Sequence, residues 1–389
     1  MSSTSGAGSY RAVLTVPFAA PTFGAALLGR LSYGLLPLAM LFTVQHATNS
    51  FTSAGAVVAC FGVTSVLLPL KARLADRYGP GRVLPVLSVG AAAAMTAMAL
   101  FARSPTAFLL LSIATGLCAP PLGPAMRAVW RTLTDGTDLV ERAYSLDSVC
   151  EETLYLVGPV LVGVLLKVAS AETSLLVTAA LLLVGTLAMA ATPPVRRARG
   201  LSTPGGWGLG PLRAPGFRSV LTTIVITAGG MSIAITCAAA RAQAAGMPGA
   251  AGYIEAALAV GSVIGGLLWG RRRHTRTRAA HLAGMTAWLA VGIGVAAAAA
   301  NLIALGAVLA ITGVAVAPLF VVSYVAADEL APAHQRTEAS TWVNTANNIG
   351  AAAGSSAAGL LIDHLNIAAG FGVGALFALC ATVMWVRRP

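Results

Sequence analysis

The sequence predicts an all-α integral membrane protein whose twelve transmembrane helices form two six-helix halves. Three observations carry this. Of 389 residues, 57% are hydrophobic and only 10% are charged, with a mean hydropathy of +0.80. Apolar stretches long enough to cross a bilayer recur twelve times, and basic residues gather on alternate connections. A water-soluble globule carries roughly a quarter of its residues as charges, so that class is excluded.

A hydrocarbon core of roughly 30 Å takes about 20 residues of helix, and within it every backbone amide must be satisfied inside the segment. The first half supplies spans near 18–43, 52–70, 83–102, 105–131, 144–166 and 172–191. The second supplies spans near 217–240, 250–270, 281–300, 302–326, 338–362 and 367–386. Between them the composition shifts to Pro193, Pro194, Arg196, Arg197 and Arg199, a Gly-rich stretch, then Arg213 and Pro215, which reads as a flexible cytosolic linker. The expected units are therefore residues 1–192, a linker 193–216, and residues 217–389.

The chain holds 25 Lys plus Arg against 13 Asp plus Glu, a net charge of +12. With both termini inside, 21 of the basic residues fall on inner segments, and only Arg103, Lys167 and Arg241 fall on outer ones. Lys and Arg are retained on the cytosolic side, so both termini are expected in the cytosol of a multi-pass protein of the cell membrane. Topology and attraction to anionic inner-leaflet lipid explain the positive charge without a nucleic-acid partner.

Five cysteines, Cys60, Cys118, Cys150, Cys237 and Cys380, lie far apart in apolar stretches and read as core residues. The five histidines fall at or near the ends of apolar runs, which leaves no imidazole pair for a haem or metal. No cofactor and no metal are expected. A cleavable signal peptide is not evident, because the first apolar run is too long for a signal core.

Between the second and third spans runs a loop from Ala72 to Arg82 that contains Asp76, Arg77 and Gly79. This loop, placed there in a 6 + 6 chain with inside termini, resembles the D-R-x-G loop of the major facilitator superfamily, departing from it where Ala72 replaces a glycine. Asp76 can hydrogen-bond arginines or a helix N-terminus in one conformation and release them in another. A topology anchor is the other reading, and the resemblance favours a gate that holds the cytosolic side closed. The equivalent second-half loop, Gly270 to His274, keeps the positive charge but has no aspartate, so a latch is expected to be lopsided. Gly158, Pro159 and Gly163 in the fifth span resemble the glycine and proline pattern of superfamily exporters, with Val162 where a glycine is common. Close helix packing explains them equally well.

Charges inside a span cost roughly 2.5 to 3.5 kcal/mol each, so they usually face a partner or a water-filled path. Asp147 and Glu151, four apart, share one face of the fifth span, with Glu152 about 100° further round. Arg30 lies near the middle of the first span, roughly 6 Å deeper than Glu152 at 1.5 Å per residue, within reach of Glu151 or Glu152. One arginine cannot saturate three carboxyls, so the cluster is a candidate for proton coupling. The opposing reading leaves Asp147 solvated near the cytosolic surface and Arg30 with one glutamate as structural glue. Arg127 is expected to anchor at the interface beside Trp130, or alternatively to pair with Asp147 or Glu151. Pro120, Pro121 and Pro124 make the fourth span irregular at mid-membrane. Thr341, Asn344, Thr345 and Asn348 recur at helical spacing and either line a cavity or bond across helices, and Glu255 near the outer end of the eighth span is a further cavity candidate.

The resemblance implies a secondary transporter working by alternating access, expected to export small, mostly apolar compounds in exchange for protons. No Walker loop is present to use ATP. A proton-linked sugar or metabolite transporter of either direction is the alternative. From another class comes a membrane sensor or enzyme on the same scaffold, against which stand the lack of a nucleophile with a base and of a sizeable soluble domain. The expected partners are a small-molecule substrate, protons and anionic lipid, with the chain acting as a monomer.

Overall fold

The computed structural model describes residues 10–198, 210–247, 250–272, 274–332 and 335–386. Every regular element among them is helical. After a short α1 (Tyr10–Leu14), the first half runs α2 (Ala19–Thr48), α3 (Phe51–Val63), α4 (Leu68–Tyr78), α5 (Pro80–Leu100), α6 (Pro105–Cys118), α7 (Leu122–Leu133), α8 (Val140–Val168) and α9 (Ala171–Ala191). A short α10 (Pro193–Arg197) leads to the second half. There follow α11 (Pro215–Ala244), α12 (Ala250–Arg271), α13 (Arg278–Ala297), α14 (Leu302–Gly313), α15 (Val316–Leu330), α16 (Arg336–His364) and α17 (Ile367–Val386).

Ten helical segments are long and apolar enough to cross a membrane, counting α6 with α7 and α14 with α15 as single passages. The pair α3 and α4, bent by 44°, makes an eleventh. The 29-residue α16 is long enough for the twelfth, and its Thr and Asn stripe keeps it out of that count. Helix starts follow local chemistry. The side chains of Ser50, Ser104, Ser170, Thr277 and Asn301 each accept a backbone N–H from the first turn of the helix they precede. Gly79, at φ 89°, lets the chain reverse between α4 and α5, a backbone conformation that side chains disfavour.

Three expectations are corrected. The second span continues to Tyr78, broken by a 3-10 turn at Thr64–Leu67. The tenth span, read as continuous, breaks after Gly313. The linker is not uniformly irregular: prolines at the first turn start α10, where Val195 is buried against the first half, and Gly210–Arg213 forms a 3-10 turn. Residues 199–209 of that linker lie outside the described residues.

Within each half, helices meet at small residues. Gly34 of α2 faces Gly158 of α8, and Gly29 faces Gly185 of α9. In the second half, Gly229 and Gly230 of α11 face Gly354 of α16 and Gly374 of α17. The halves meet chiefly where α8 packs on α12 and α15, and where α16 packs on α4 and α7. These meetings lie toward one end of the bundle, here called the linker face because α10 and the α4–α5 turn are on it.

Candidate functional site

Asp147 and Glu151, one turn apart on α8, are each held by the same two arginines. Arg30 of α2 places Nη1 2.7 Å from Asp147 Oδ1 and Nη2 3.0 Å from Glu151 Oε2. Arg127 of α7 places Nη1 3.1 Å from Asp147 Oδ2 and 3.3 Å from Glu151 Oε2. Two cations and two anions cancel, which is how four charges are tolerated here. The side chains of Arg30, Arg127 and Asp147 are 3%, 1% and 0% exposed, and Glu151 alone is accessible, at 22%.

Arg127 reaches this point because the fourth passage breaks. The helix stops at Cys118 and restarts at Leu122, after Pro120 and Pro121. Two donors hold the break: Lys71 of α4 donates to Gly116 O at 2.8 Å, and the Tyr33 hydroxyl donates to Pro120 O. Arg127 is thereby corrected from interfacial anchor to buried partner, the alternative pairing with Asp147 and Glu151 being the one found, and Asp147 is fully buried in the acidic cluster rather than solvated as the opposing reading had it. Of the two partners expected for Arg30, Glu151 is the one it meets, with Asp147 as its second in place of Glu152, and two arginines replace the single-arginine balance. Glu152 makes no ion pair among the described residues and is half-buried.

Arg127 also crosses to the second half. Its Nε donates to Ser340 Oγ at 2.8 Å, Nη2 donates to Asn344 Oδ1 at 3.4 Å, and its guanidinium carbon lies 3.7 Å from the ring centre of Tyr324. The Tyr324 hydroxyl donates to the same Asn344 oxygen. Of the polar stripe, Thr341 donates to Thr337 O, Thr345 is buried with an unpartnered hydroxyl, and Asn348 is exposed further toward the opposite face. Glu255 is exposed on α12 and lines a hollow with Ile254, Leu258 and Leu309, away from the end of α12 that meets α8. Gly158 packs on Gly34, exposed Pro159 follows it, and a Cβ on Gly163 would meet nothing within 4 Å.

On the linker face, Asp76 Oδ2 accepts the backbone N–H of Glu338 at 3.1 Å, in the first turn of α16 where a carboxylate complements the helix dipole. Arg73 Nε donates to Glu338 Oε2 at 3.0 Å. Arg77 lies over the Tyr78 ring and Arg82 is exposed. Just past the second-half loop, Arg278 at the start of α13 pairs with Glu141 of α8 and with Glu329 of α15, the latter at 3.2 Å. Arg142 of α8 donates to Gly270 O at 3.1 Å, and Tyr144 of α8 donates to Asp328 of α15. Arg273 of that loop lies outside the described residues.

Sequence reading missed Glu338, Asp328 and Glu141 as contacts between halves, and Glu329 as the second-half acid that shares Arg278 with Glu141. They sit at helix ends, where an acid is ordinarily solvated, and the available signal was their position flanking spans that begin or end on the linker face. The five cysteines are free, and no group of three metal-ligating side chains occurs among the described residues.

Twelve helical passages with a buried ionic cluster at the seam of two halves define a multi-pass membrane transporter. The sequence matches the Major Facilitator Superfamily over residues 22–271 and 219–389, and the chain belongs to that family. No curated protein sequence matches it significantly. Among solved structures, a bacterial homologue of the iron transporter ferroportin in an outward-facing state superposes with a TM-score of 0.78 at 12% identity, covering 95% of this chain and 98% of that one. The human organic anion transporter MFSD10 (TETRAN) gives 0.73 at 19% identity, with 96% and 99% covered. The E. coli fucose:proton symporter FucP gives 0.72 at 16% identity, with 97% and 99% covered. At these identities the likeness concerns the fold.

Proposed function

We propose that the chain is a proton-coupled exporter of small, mostly apolar compounds, working by alternating access with its linker face in the cytosol. The observation that carries this reading is the double engagement of Arg127, which neutralises Asp147 and Glu151 in its own half while donating to Ser340 and Asn344 in the other. A proton arriving on Glu151, the accessible acid, cancels one of the two negative charges that fix Arg127. The arginine's balance between α8 and α16 then changes, so that proton occupancy and the relation of the halves are energetically linked. Glu152, lacking a cation, is the second candidate carrier.

In this state the bonds between halves cluster at the linker face, and protons reach Glu151 from the opposite side. For an exporter that is the state that releases substrate and loads protons. Beyond the cluster, Tyr155 is exposed one turn further along the face of α8 that carries Glu151, an aromatic surface that suits an apolar cargo. The test uses inverted vesicles and a panel of hydrophobic cations, neutral antibiotics and sugars, with and without a pH gradient. The expected result is pH-driven accumulation of at least one apolar compound, abolished by Glu151→Gln or Glu152→Gln with substrate binding retained. If both glutamine variants, singly and together, still accumulate substrate on a proton gradient alone, coupling does not run through this cluster.

A further inference from the structure

The last turns of α12 lie on the seam at the linker face, and their backbone carbonyls are met by donors from the other half. Tyr10 of α1 donates to Leu267 O at 2.7 Å, Ser145 of α8 donates to Gly266 O, and Arg142 of α8 donates to Gly270 O at 3.1 Å. Gly270 O is among the last four carbonyls of α12, which have no partner within the helix, and the other two accept on a second lone pair. This end of a helix is also its negative pole, so donors are favoured there. Two glycines make the approach possible. A Cβ on Gly266 would lie 2.6 Å from Val149 Cγ2 of α8, and one on Gly270 would collide with the Tyr10 hydroxyl and lie 2.7 Å from Ser145 Oγ.

Tyr10 belongs with the first half. The helix α1 packs on α8 and α2, and its Val13 is fully buried. From there the Tyr10 hydroxyl crosses to a carbonyl 257 positions further along the chain. At the other meeting of the halves on this face, Asp76 docks on the N-terminal, positive end of α16. The loop after α12 has no aspartate with which to repeat that device. Here the second half offers the negative end of a helix instead, and the first half supplies Tyr10, Ser145 and Arg142 to hold it.

We propose that Tyr10 is a second latch of the linker face, seated on the end of α12 while that face is closed and withdrawn when it opens. A contact made in only one of two states favours that state by its own free energy. One hydrogen bond of this kind shifts such an equilibrium by about 2- to 10-fold. Tyr10 is therefore a positioning residue, which sets how often the linker face opens through the balance of the two states and not through the ionic cluster. Its part in transport rests on the alternating-access reading above, whereas its hold on the closed state does not.

Hydrogen–deuterium exchange of the full chain in lipid nanodiscs, read by mass spectrometry without substrate, tests this directly. Tyr10→Phe should speed exchange by about 2- to 10-fold at α1 and the end of α12. It should do the same at the α4–α5 turn and the first turn of α16, which belong to the other meeting of the halves, and slow exchange at the α2–α3 and α8–α9 junctions on the opposite face. Gly270→Ala, whose Cβ has no room in the closed seam, should give the same pattern more strongly. Tyr253→Phe, at an exposed tyrosine of the same helix, should change neither face. A change in Tyr10→Phe confined to α1 and α12, or no change at all, overturns the proposal, as does a Gly270→Ala protein that folds with the linker face still closed. Should Gly270→Ala fail to fold, Tyr10→Phe decides alone. Vesicles that never accumulate substrate on a pH gradient, with the exchange pattern as expected, would remove the exporter reading and leave the latch standing. Proton-driven accumulation with exchange unmoved by Tyr10→Phe would do the reverse.

Discussion

Arg127 Nη1 and Asp147 Oδ2 lie 3.1 Å apart on α7 and α8, both side chains essentially sealed from solvent, and the same guanidinium donates to Ser340 of the other half. An ion pair in this position is at once a folding constraint and a seam between two bodies that must move. Its two consequences can be separated by experiment.

Removing one charge from the cluster should be felt in stability. Asp147→Asn leaves two buried arginines facing one carboxylate, and breaking a buried pair in this way costs about 3–5 kcal/mol. Thermal unfolding in detergent should show a clear loss, whereas Glu152→Gln, which breaks no pair, should melt close to the parent. Equal melting temperatures for Asp147→Asn and the parent would mean the cluster is not holding the fold.

The linker-face contacts should behave differently. Asp76→Asn and Glu338→Gln keep the shape of each side chain and weaken the docking of the α4–α5 loop on the start of α16. Asp76 is partly exposed, so its variant should lose about 0–1 kcal/mol and melt close to the parent, whereas the Glu338 carboxylate is 1% exposed and its variant, which breaks the pair with Arg73, should melt lower. Turnover should fall severalfold, measured with whichever compound the vesicle panel identifies. Unchanged transport in both variants would leave the loop as a topology anchor.

Two glycines of one motif should respond oppositely to alanine. A Cβ on Gly158 would sit 2.7 Å from the Cα of Gly34, a backbone atom that cannot rotate away. Gly158→Ala should therefore destabilise by about 1–3 kcal/mol. Gly163→Ala meets nothing within 4 Å and should fall within about 0.5 kcal/mol of the parent, or gain slightly in helix propensity. Similar melting curves for the two variants would contradict the packing account.

Orientation is open to a reporter. Fusions after Pro389 or near Gly206, both outside the described residues, should report cytosol, because 21 of 25 basic residues fall on the segments that this topology places inside. An external signal from either site would invert the assignment of the linker face.

The sequence by itself determined the class, the number of passages and the residue types of the site, because bilayer thickness and backbone satisfaction impose a length and an apolarity that can be read one segment at a time. It also determined that Asp147 and Glu151 share a face, since helical periodicity is local. Only the tertiary structure decided which cations meet them. Arg127 is 20 positions from Asp147 and Arg30 is 117, and their convergence depends on the break before Leu122 and on Gly34 seating against Gly158. The acids that bond across the linker face, Glu338, Glu141 and Asp328, were illegible for the same reason. Each lies at a helix end where water would satisfy it, and it becomes a contact because a helix from the other half arrives there.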